Sequence, residues 1–160
     1  MEQSSEKSLD FEPPVGLPRL PRRQSDSSKF DYGRVVIVAG SRGMAGAAAL
    51  SAMAALRSGA GLVEVIVPES IQATVASFDP CVMTHGLPED DEGRFALSAL
   101  AQIHKRCTRA DVVALGPGIG RSDGLIGIVH DLWKTLPMPV VVDADAVSYT
   151  HLTLPTNREV

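Results

Sequence analysis

Glycine- and aspartate-rich loops follow three short apolar runs of this chain. The loops, with the preceding runs in parentheses, are Ala39–Ala47 (Val35–Val38), Gly116–Gly120 (Val112–Leu115) and Asp143–Ala146 (Val140–Val142). Such apolar runs are typical of parallel strands that are buried on both faces. Because ligands of open α/β sheets bind beyond the carboxyl ends of the strands, we expect the three loops to face one crevice.

The first loop has the composition of a phosphate site. Gly40, Gly43 and Gly46 are spaced three apart directly before a predicted helix, whose N-terminus carries partial positive charge. The spacing G-x-x-G-x-x-G differs both from the dinucleotide fingerprint G-x-G-x-x-G and from the P-loop pattern. A phosphate site and a tightly packed strand-to-helix turn therefore both stay open for this loop.

The second and third loops carry different chemistry. Gly116–Gly120 places three glycines around one proline, which predicts a rigid, bare stretch of backbone against which a ligand can lie. Asp143 and Asp145 end a predicted buried strand, where their carboxylates could bind ribose hydroxyls, a metal or a neighbouring group. A simple loop cap is the alternative for these two aspartates.

Other polar residues show no catalytic or metal-binding spacing. His85, His104 and His130 lie on separate predicted elements, so we interpret them as surface or packing residues, and no Ser-His-Asp or Cys-His set can be assembled. Cys81 and Cys107 lack metal-ligand spacing and are predicted to be free thiols. We predict no metal site formed by the protein alone.

Length and composition limit the function classes. A chain of 160 residues forms one domain at most, and its net charge of −4 with few aromatic residues argues against nucleic-acid binding. No apolar run is long enough to span a bilayer, and the N-terminus has no signal-peptide pattern. These features predict a soluble, cytoplasmic protein that does not bind membranes.

Strands and helices alternate from Gly33 onward. The predicted strands are 35–39, 62–67, 81–85, 111–115 and 140–142, and the predicted helices are 45–58, 70–77, 95–106 and one that Ser122 caps. In that last helix an apolar stripe of Leu125, Val129, Leu132, Trp133 and Leu136 is expected to face the sheet. Residues 86–94 are predicted to form an acidic surface loop. The alternation predicts a three-layer α/β/α sandwich with a mainly parallel sheet.

Four segments together resemble a known family. Gly33–Ala48, Ala54–Val63, Ala110–Gly120 and Val142–Ala146 are similar, in order and spacing, to the ADP/ATP-dependent NAD(P)H-hydrate dehydratases. This resemblance covers about residues 29–147. It implies a ribokinase-like fold and a lyase that repairs nicotinamide nucleotides.

The resemblance also implies a reaction and a set of binding residues. ATP or ADP, with Mg²⁺, would phosphorylate the hydroxyl of (S)-hydrated NADH or NADPH, and loss of phosphate would restore the nicotinamide. By position, Ala47, Gly118 and Gly120 would contact the hydrated dinucleotide, and Asp143 would lie on the floor of the same crevice. The partner would be this small-molecule substrate, and the resemblance leaves a homo-oligomer open.

Departures from the family pattern concern both ends of the chain. Ser28-Lys29-Phe30 stands where the family has His-Lys-Gly, and the segments that carry the adenine-nucleotide site and the catalytic Asp are not found. We therefore expect a flexible lead-in over 1–31, the N-terminal half of a truncated ribokinase-like domain over 32–147, and a non-native tail over 148–160. The catalytic residues are unknown, and this chain alone is expected to be inactive.

Three alternatives remain open from the sequence. A ribokinase-like small-molecule kinase would share the sheet and the phosphate chemistry. A Rossmann-type NAD(P)-dependent oxidoreductase is disfavoured by the glycine spacing of the first loop. A non-catalytic nucleotide-binding remnant is the third alternative.

Overall fold

A single parallel sheet forms the centre of the molecule. The computed structural model describes residues 22–150. The strands are β1 Arg34–Val38, β2 Leu62–Pro68, β3 Met83–Leu87, β4 Val112–Leu115 and β5 Val140–Val142, in the order β3-β2-β1-β4-β5. All four strand pairings are parallel, which confirms the predicted sheet.

Helices cover both faces of the sheet. They are α1 Ala45–Arg57, α2 Gln72–Ala76, α3 Leu100–Cys107, α4 Asp123–Thr135 and α5 Val147–Thr150, with short 3-10 turns at Lys29–Tyr32, Glu69–Ile71, Leu97–Ala99 and Ala144–Ala146. The first two helices pack on one face of the sheet, and α3 and α4 pack on the other. The predicted three-layer α/β/α architecture is confirmed.

Small residues bring α1 close to the sheet. Ala48, Ala49 and Ala52 are buried, and the helix ends near Gly59, as predicted. Side chains larger than methyl would hold the helix axis farther from the strands. The start of α1 is therefore fixed close to the ends of β1 and β4.

The register of α4 differs from the prediction at one position. The Ser122 hydroxyl accepts a hydrogen bond from the Leu125 N–H, so the predicted cap is confirmed. Trp133, however, is 38% exposed, while Ile128 is buried. At 100° per residue the buried face centres on residues 125, 128, 129 and 132, which leaves Trp133 at its margin.

Boundaries near Cys81 also differ from the prediction. β3 begins at Met83, so exposed Cys81 lies before the strand, and Ser70 makes no side-chain cap because a 3-10 turn opens that helix. Both cysteines are free thiols, as predicted. Burial, and to a lesser degree the charge of Glu64, raises the pKa of the Cys107 thiol to about 11, which keeps it protonated.

The last strand is more open than its sequence predicts. Val141 of β5 is 56% exposed, whereas the all-apolar run predicted burial on both faces. β5 is the outer strand of the sheet in the described part, paired only with β4. Helix α1 packs over β1 and β2, and among residues 22–150 no helix covers the Val141 side of β5.

Ordered contacts extend slightly beyond the predicted domain limits. Arg23 lies over the Tyr32 ring at 4.3 Å and donates a 3.0 Å hydrogen bond to the Gly59 carbonyl, and Tyr149 packs against the core. The predictions for residues 1–21 and 151–160 fall outside the described residues, so the proposed lead-in and tail stay predictions. No helix in the described range is long and apolar enough to cross a bilayer.

Candidate functional site

Three loops meet at the carboxyl ends of the strands. The first loop, Ala39–Met44, leads from β1 to α1, and the second loop, Gly116–Arg121, leads from β4 to α4 on the opposite face. The third loop, Asp143–Ala146, follows β5. Adjacent strands whose connections leave toward opposite faces form a topological switch point, where open α/β sheets bind ligands. The predicted convergence of the loops is confirmed.

Hydrogen bonds join the first and second loops directly. The Gly40 N–H donates to the Pro117 carbonyl at 2.8 Å, and the Ser41 hydroxyl donates to the Gly118 carbonyl at 2.8 Å. Ser41 is only 5% exposed, and it has no counterpart among the predicted site residues. Its polarity within a glycine-rich turn is the signal that could have identified it.

The second loop packs on the first turn of α1. A Cβ added to Gly118 would lie 2.8 Å from the Ala47 Cβ and 3.0 Å from the Met44 Cβ, and φ at Gly118 is +68°. Only glycine allows both this approach and this backbone conformation. The structure therefore brings together two of the predicted binding residues, Ala47 and Gly118.

The third loop lies against the second with similar closeness. A Cβ added to Gly116 would lie 1.9 Å from the Asp143 carbonyl oxygen, and the Gly120 N–H donates to Asp145 Oδ2 at 3.0 Å. Asp145 is thus the carboxylate that braces the loops, while Asp143 is exposed at the crevice. Neighbouring Ala144 has φ +50°, a conformation that non-glycine residues rarely adopt.

The N-terminus of α1 opens into free space. Met44 occupies the N-cap position and makes no side-chain capping bond, and a Cβ added to Gly43 or Gly46 would meet nothing within 4 Å. The first N–H groups of a helix lack intrahelical partners and carry partial positive charge. This end of α1 can therefore accept an anionic group such as a phosphate.

A fourth loop, Pro88–Phe95, braces the crevice and was predicted only as acidic surface. The Arg42 N–H donates to the Gly93 carbonyl at 2.9 Å, and Arg94 Nη1 donates to the Arg121 carbonyl at 2.7 Å. Arg94 also pairs with Asp90 at 2.9 Å. Partial burial raises the pKa of Asp90, but hydrogen bonds from Arg94 outweigh it, so the pKa lies below its ordinary value. A basic residue, Arg94, within this acidic stretch was the sequence signal that could have indicated the bracing role of the loop.

Tyr149 supports the second loop from the other side. Its hydroxyl donates to the Gly120 carbonyl at 3.0 Å and accepts from the Ser122 N–H at 3.1 Å. Sequence reasoning missed this residue because it lies within the segment predicted as a non-native tail. Loop 116–121 is therefore held by α1, the third loop, Arg94 and Tyr149.

Histidines find polar partners, although their sequence spacing predicted none. His85 contacts Glu64, His104 pairs with Asp131, and His130 Nε2 lies 2.8 Å from the Tyr149 carbonyl. Residues far apart in sequence meet here across different elements. None of these pairs includes a serine or cysteine nucleophile, so we assign no catalytic residue.

The carboxylates of the crevice do not make a metal site. Across residues 22–150, no group of three His, Cys, Asp or Glu side chains is placed to hold an ion. Mg²⁺ prefers octahedral oxygen ligands and commonly takes several of them from water and substrate phosphates. The described residues thus do not fit a dedicated Mg²⁺ site, although exposed Asp143 leaves a carboxylate facing solvent.

Two cavities lie at the opposite end of the sheet. They measure about 410 and 620 Å³ and are lined in part by Gly33, Arg34 and other residues at the N-terminal ends of the strands. Neither contains an uncapped helix N-terminus or a residue of the four loops. We place the candidate site in the crevice because the chemistry of its backbone, rather than cavity size, suits a phosphate-bearing ligand.

Comparison with known proteins gives a match to one family. The sequence model of a family described as NAD(P)H-hydrate dehydratase matches residues 35–157. A bifunctional NAD(P)H-hydrate repair enzyme from Moorella thermoacetica is 42% identical over 130 residues, which are 81% of this chain and 24% of that protein.

Solved structures show the same fold. A ribokinase-like superfamily protein from Enterococcus faecalis superposes with a TM-score of 0.67 and 27% identity over 81% of this chain and 43% of its own. An ADP/ATP-dependent NAD(P)H-hydrate dehydratase from Bacillus subtilis, crystallised with ATP and Mg²⁺, gives 0.61 and 26%, over 79% of this chain and 42% of its own. The chain therefore spans about a quarter of its bifunctional relative and less than half of these solved proteins.

Proposed function

We propose a function from one premise: this chain belongs to the NAD(P)H-hydrate dehydratase family. Its crevice binds hydrated NADH or NADPH, and the protein to which it belongs removes the added water in a reaction driven by ATP or ADP. The observation that carries this proposal is the open, uncapped N-terminus of α1, packed at Ala47 against the bare backbone of Gly118.

The four predicted binding residues have distinct roles in this proposal. Ala47 and Gly118 pack directly on each other, so the second loop and the start of α1 form one continuous wall of the crevice. Gly120 is held by Asp145, which keeps the second loop rigid. Asp143 offers an exposed carboxylate that can accept hydrogen bonds from ribose or nicotinamide groups. The pyrophosphate of the dinucleotide lies at the start of α1.

In this proposal the phosphoryl donor is ATP or ADP. The solved relative from Bacillus subtilis is named as ADP/ATP-dependent and was crystallised with ATP and Mg²⁺. When bound, the nucleotide supplies the phosphoryl group that turns the added hydroxyl into a leaving group. We assign Mg²⁺ to the phosphates of that nucleotide, because the described residues lack a metal-binding cluster. The residues described here bind and orient the hydrated dinucleotide.

A glycine-to-alanine pair tests the crevice. Gly46→Ala adds a methyl group to open space at the start of α1, where it leaves the fold intact and blocks an approaching phosphate. Gly124→Ala makes the same change in the first turn of α4, with its nearest contact at 3.5 Å. Calorimetric titration with hydrated NADPH measures the binding affinity of the parent 160-residue chain and of both variants.

The expected result is a difference between the two variants. Gly46→Ala weakens binding about tenfold or more, which corresponds to about 1.4 kcal/mol, while Gly124→Ala binds as the parent chain does. Equal affinity in both variants, or binding of hydrated NADPH no tighter than that of ordinary NADPH, would contradict the proposed substrate site.

A further inference from the structure

A cluster of positive charge lines the larger cavity at the N-terminal end of the sheet. This open cavity of about 620 Å³ lies between the first residues of β1 to β3 and the last turn of α3. Its cationic side chains are Arg34, Lys105, Arg106 and Arg109. The crevice described above lies at the other ends of the same strands, so the two sites are separate.

Glu64 is the acidic residue of this cavity, and its charge is already neutralised. It is buried, and Arg34 Nη1 donates to its Oε1 at 2.7 Å. His85 Nε2 lies 3.1 Å from its Oε2. Because an ionised carboxylate can only accept hydrogen bonds, the tautomer that satisfies the buried Oε2 carries the His85 proton on Nε2, and this N–H donates a hydrogen bond to Glu64.

This assignment leaves Arg106 without an acceptor. Arg106 Nη1 lies 3.1 Å from the same His85 Nε2, but a guanidinium can only donate and the Nε2 lone pair is absent when that atom carries a proton. Within the part of the chain that the structure describes, no other acceptor is bonded to the side chain of Arg106, Lys105 or Arg109. Among residues 22–150, these three cations therefore face the cavity with no partner of their own.

Local charge here is opposite to that of the whole molecule. The chain carries a formal net charge of −4, whereas this cavity holds four cations and one carboxylate. A bound anion would balance this local excess of positive charge. Guanidinium forks match the oxygen geometry of phosphate groups, and the cavity volume suits a small metabolite.

We propose that this cavity binds a phosphate-bearing small molecule, whose phosphate contacts Arg106, Lys105 and Arg109. Arg34 and His85 stay bonded to the two carboxylate oxygens of Glu64, at the edge of the cavity formed by β3. Binding there is independent of the dinucleotide crevice.

Histidine signals locate the bound anion. Inorganic phosphate or pyrophosphate is added to the 160-residue chain at constant ionic strength, with chloride as the reference anion, and affinity is measured by calorimetry. In parallel, NMR follows the rings of His85, beside the cavity, and His130, which is bonded to Tyr149 on the crevice side. We expect phosphate to shift the signals of the His85 ring, whether or not phosphate bound at the start of α1 also shifts those of His130.

Variants with a matched control test the cations. Arg106→Gln weakens phosphate binding about tenfold, and the double change with Lys105→Gln weakens it about a hundredfold, as expected for charge-assisted contacts. Lys134→Gln removes a similar charge from the exposed last turn of α4 and leaves affinity unchanged.

Several results would overturn the proposal. The first is a shift of the His130 signals without a shift of the His85 signals. The second is a loss of phosphate affinity in Lys134→Gln equal to that in Arg106→Gln, and the third is binding of chloride as strong as that of phosphate. A fourth is a double variant that binds phosphate normally but is less stable, because the cations would then only stabilise the C-terminal end of α3 through its helix dipole. Loss of dinucleotide binding in Gly46→Ala leaves this proposal unaffected, so the two sites can fail separately.

Discussion

The two ends of the sheet are built from different chemistry. At the carboxyl ends of the strands, main-chain groups and glycines bring the loops within contact distance, as where Gly118 meets Ala47. At the amino ends, charged side chains form the contacts, and Glu64 lies between Arg34 and His85. The carboxyl end therefore depends mainly on backbone shape, with side-chain braces from Asp145 and Arg94, and the amino end depends mainly on electrostatics.

This difference predicts how each end responds to substitution. A site made of backbone cannot adjust to an added side chain, so steric changes are costly and insensitive to pH or salt. A site made of charges tolerates changes of shape but depends on which partners remain ionised. Four substitutions test this contrast, in decreasing order of their expected cost.

Gly116→Ala should have the largest effect. The added Cβ would lie 1.9 Å from the Asp143 carbonyl oxygen, and φ at this position is +127°, so both the contact and the backbone must change. We expect a loss of about 4 kcal/mol or more in the free energy of unfolding, or a failure to fold. Urea unfolding measures it, with Gly124→Ala as the control. A loss below about 1 kcal/mol would show that the second and third loops are not tightly packed.

Glu64→Gln should have the second-largest effect on stability. The change leaves Arg34 without its carboxylate partner in a largely buried position, and we expect a loss of about 2–3 kcal/mol. Glu92→Gln is the control, because Glu92 also pairs with an arginine but its side chain is 73% exposed. Chemical unfolding of both variants gives the comparison, and equal losses would contradict the electrostatic role of Glu64.

Ser41→Ala should cost less, about 1 kcal/mol, because it removes the 2.8 Å hydrogen bond to the buried Gly118 carbonyl. Ser51→Ala serves as the control, since its hydroxyl bonds only to the Ala47 carbonyl within α1. The loss in Ser41→Ala should be the same at every pH near neutrality. A loss that changes with pH would break the contrast between the two ends.

His85→Gln should have the smallest effect, visible in the pH dependence of stability. Burial, followed by the charge of Arg106, lowers the pKa of His85 below its usual 6.5, although Glu64 partly opposes this. The unfolded chain then binds a proton more readily, so stability falls as the pH drops from 6.5 toward the folded pKa.

The free energy of unfolding, measured across this pH range, should therefore change less with pH in His85→Gln than in the parent chain. The difference between the two proteins isolates His85 from the other titrating groups. A steeper curve for the variant, or an unchanged one, would show that His85 does not carry this pH dependence.

The carboxyl end of the sheet was largely predictable because its signals are local. Gly40, one residue after Val35–Val38, and Gly116, directly after Val112–Leu115, mark strand ends, and parallel pairing then brings these ends together. The braces from Arg94 and Tyr149 were not predictable in the same way, since each depends on a loop path that no local pattern determines.

The amino end could not be predicted from spacing. Glu64, His85 and Arg106 lie about twenty residues apart, and each is unremarkable by itself. Only the pairing of β2 with β3 and the position of α3 bring them together. The exposed Val141 was also missed, because burial of a strand depends on what covers it rather than on its own residues.

The position of β1 in the sheet has a consequence for the order of folding. Val35 pairs with Val63 on one side and with the much more distant Val112 on the other. As the chain leaves the ribosome, β1 to β3 can associate while the opposite edge of β1 still has unpaired N–H and C=O groups. The crevice forms only when β4 docks on that edge, so the candidate site is a late product of folding.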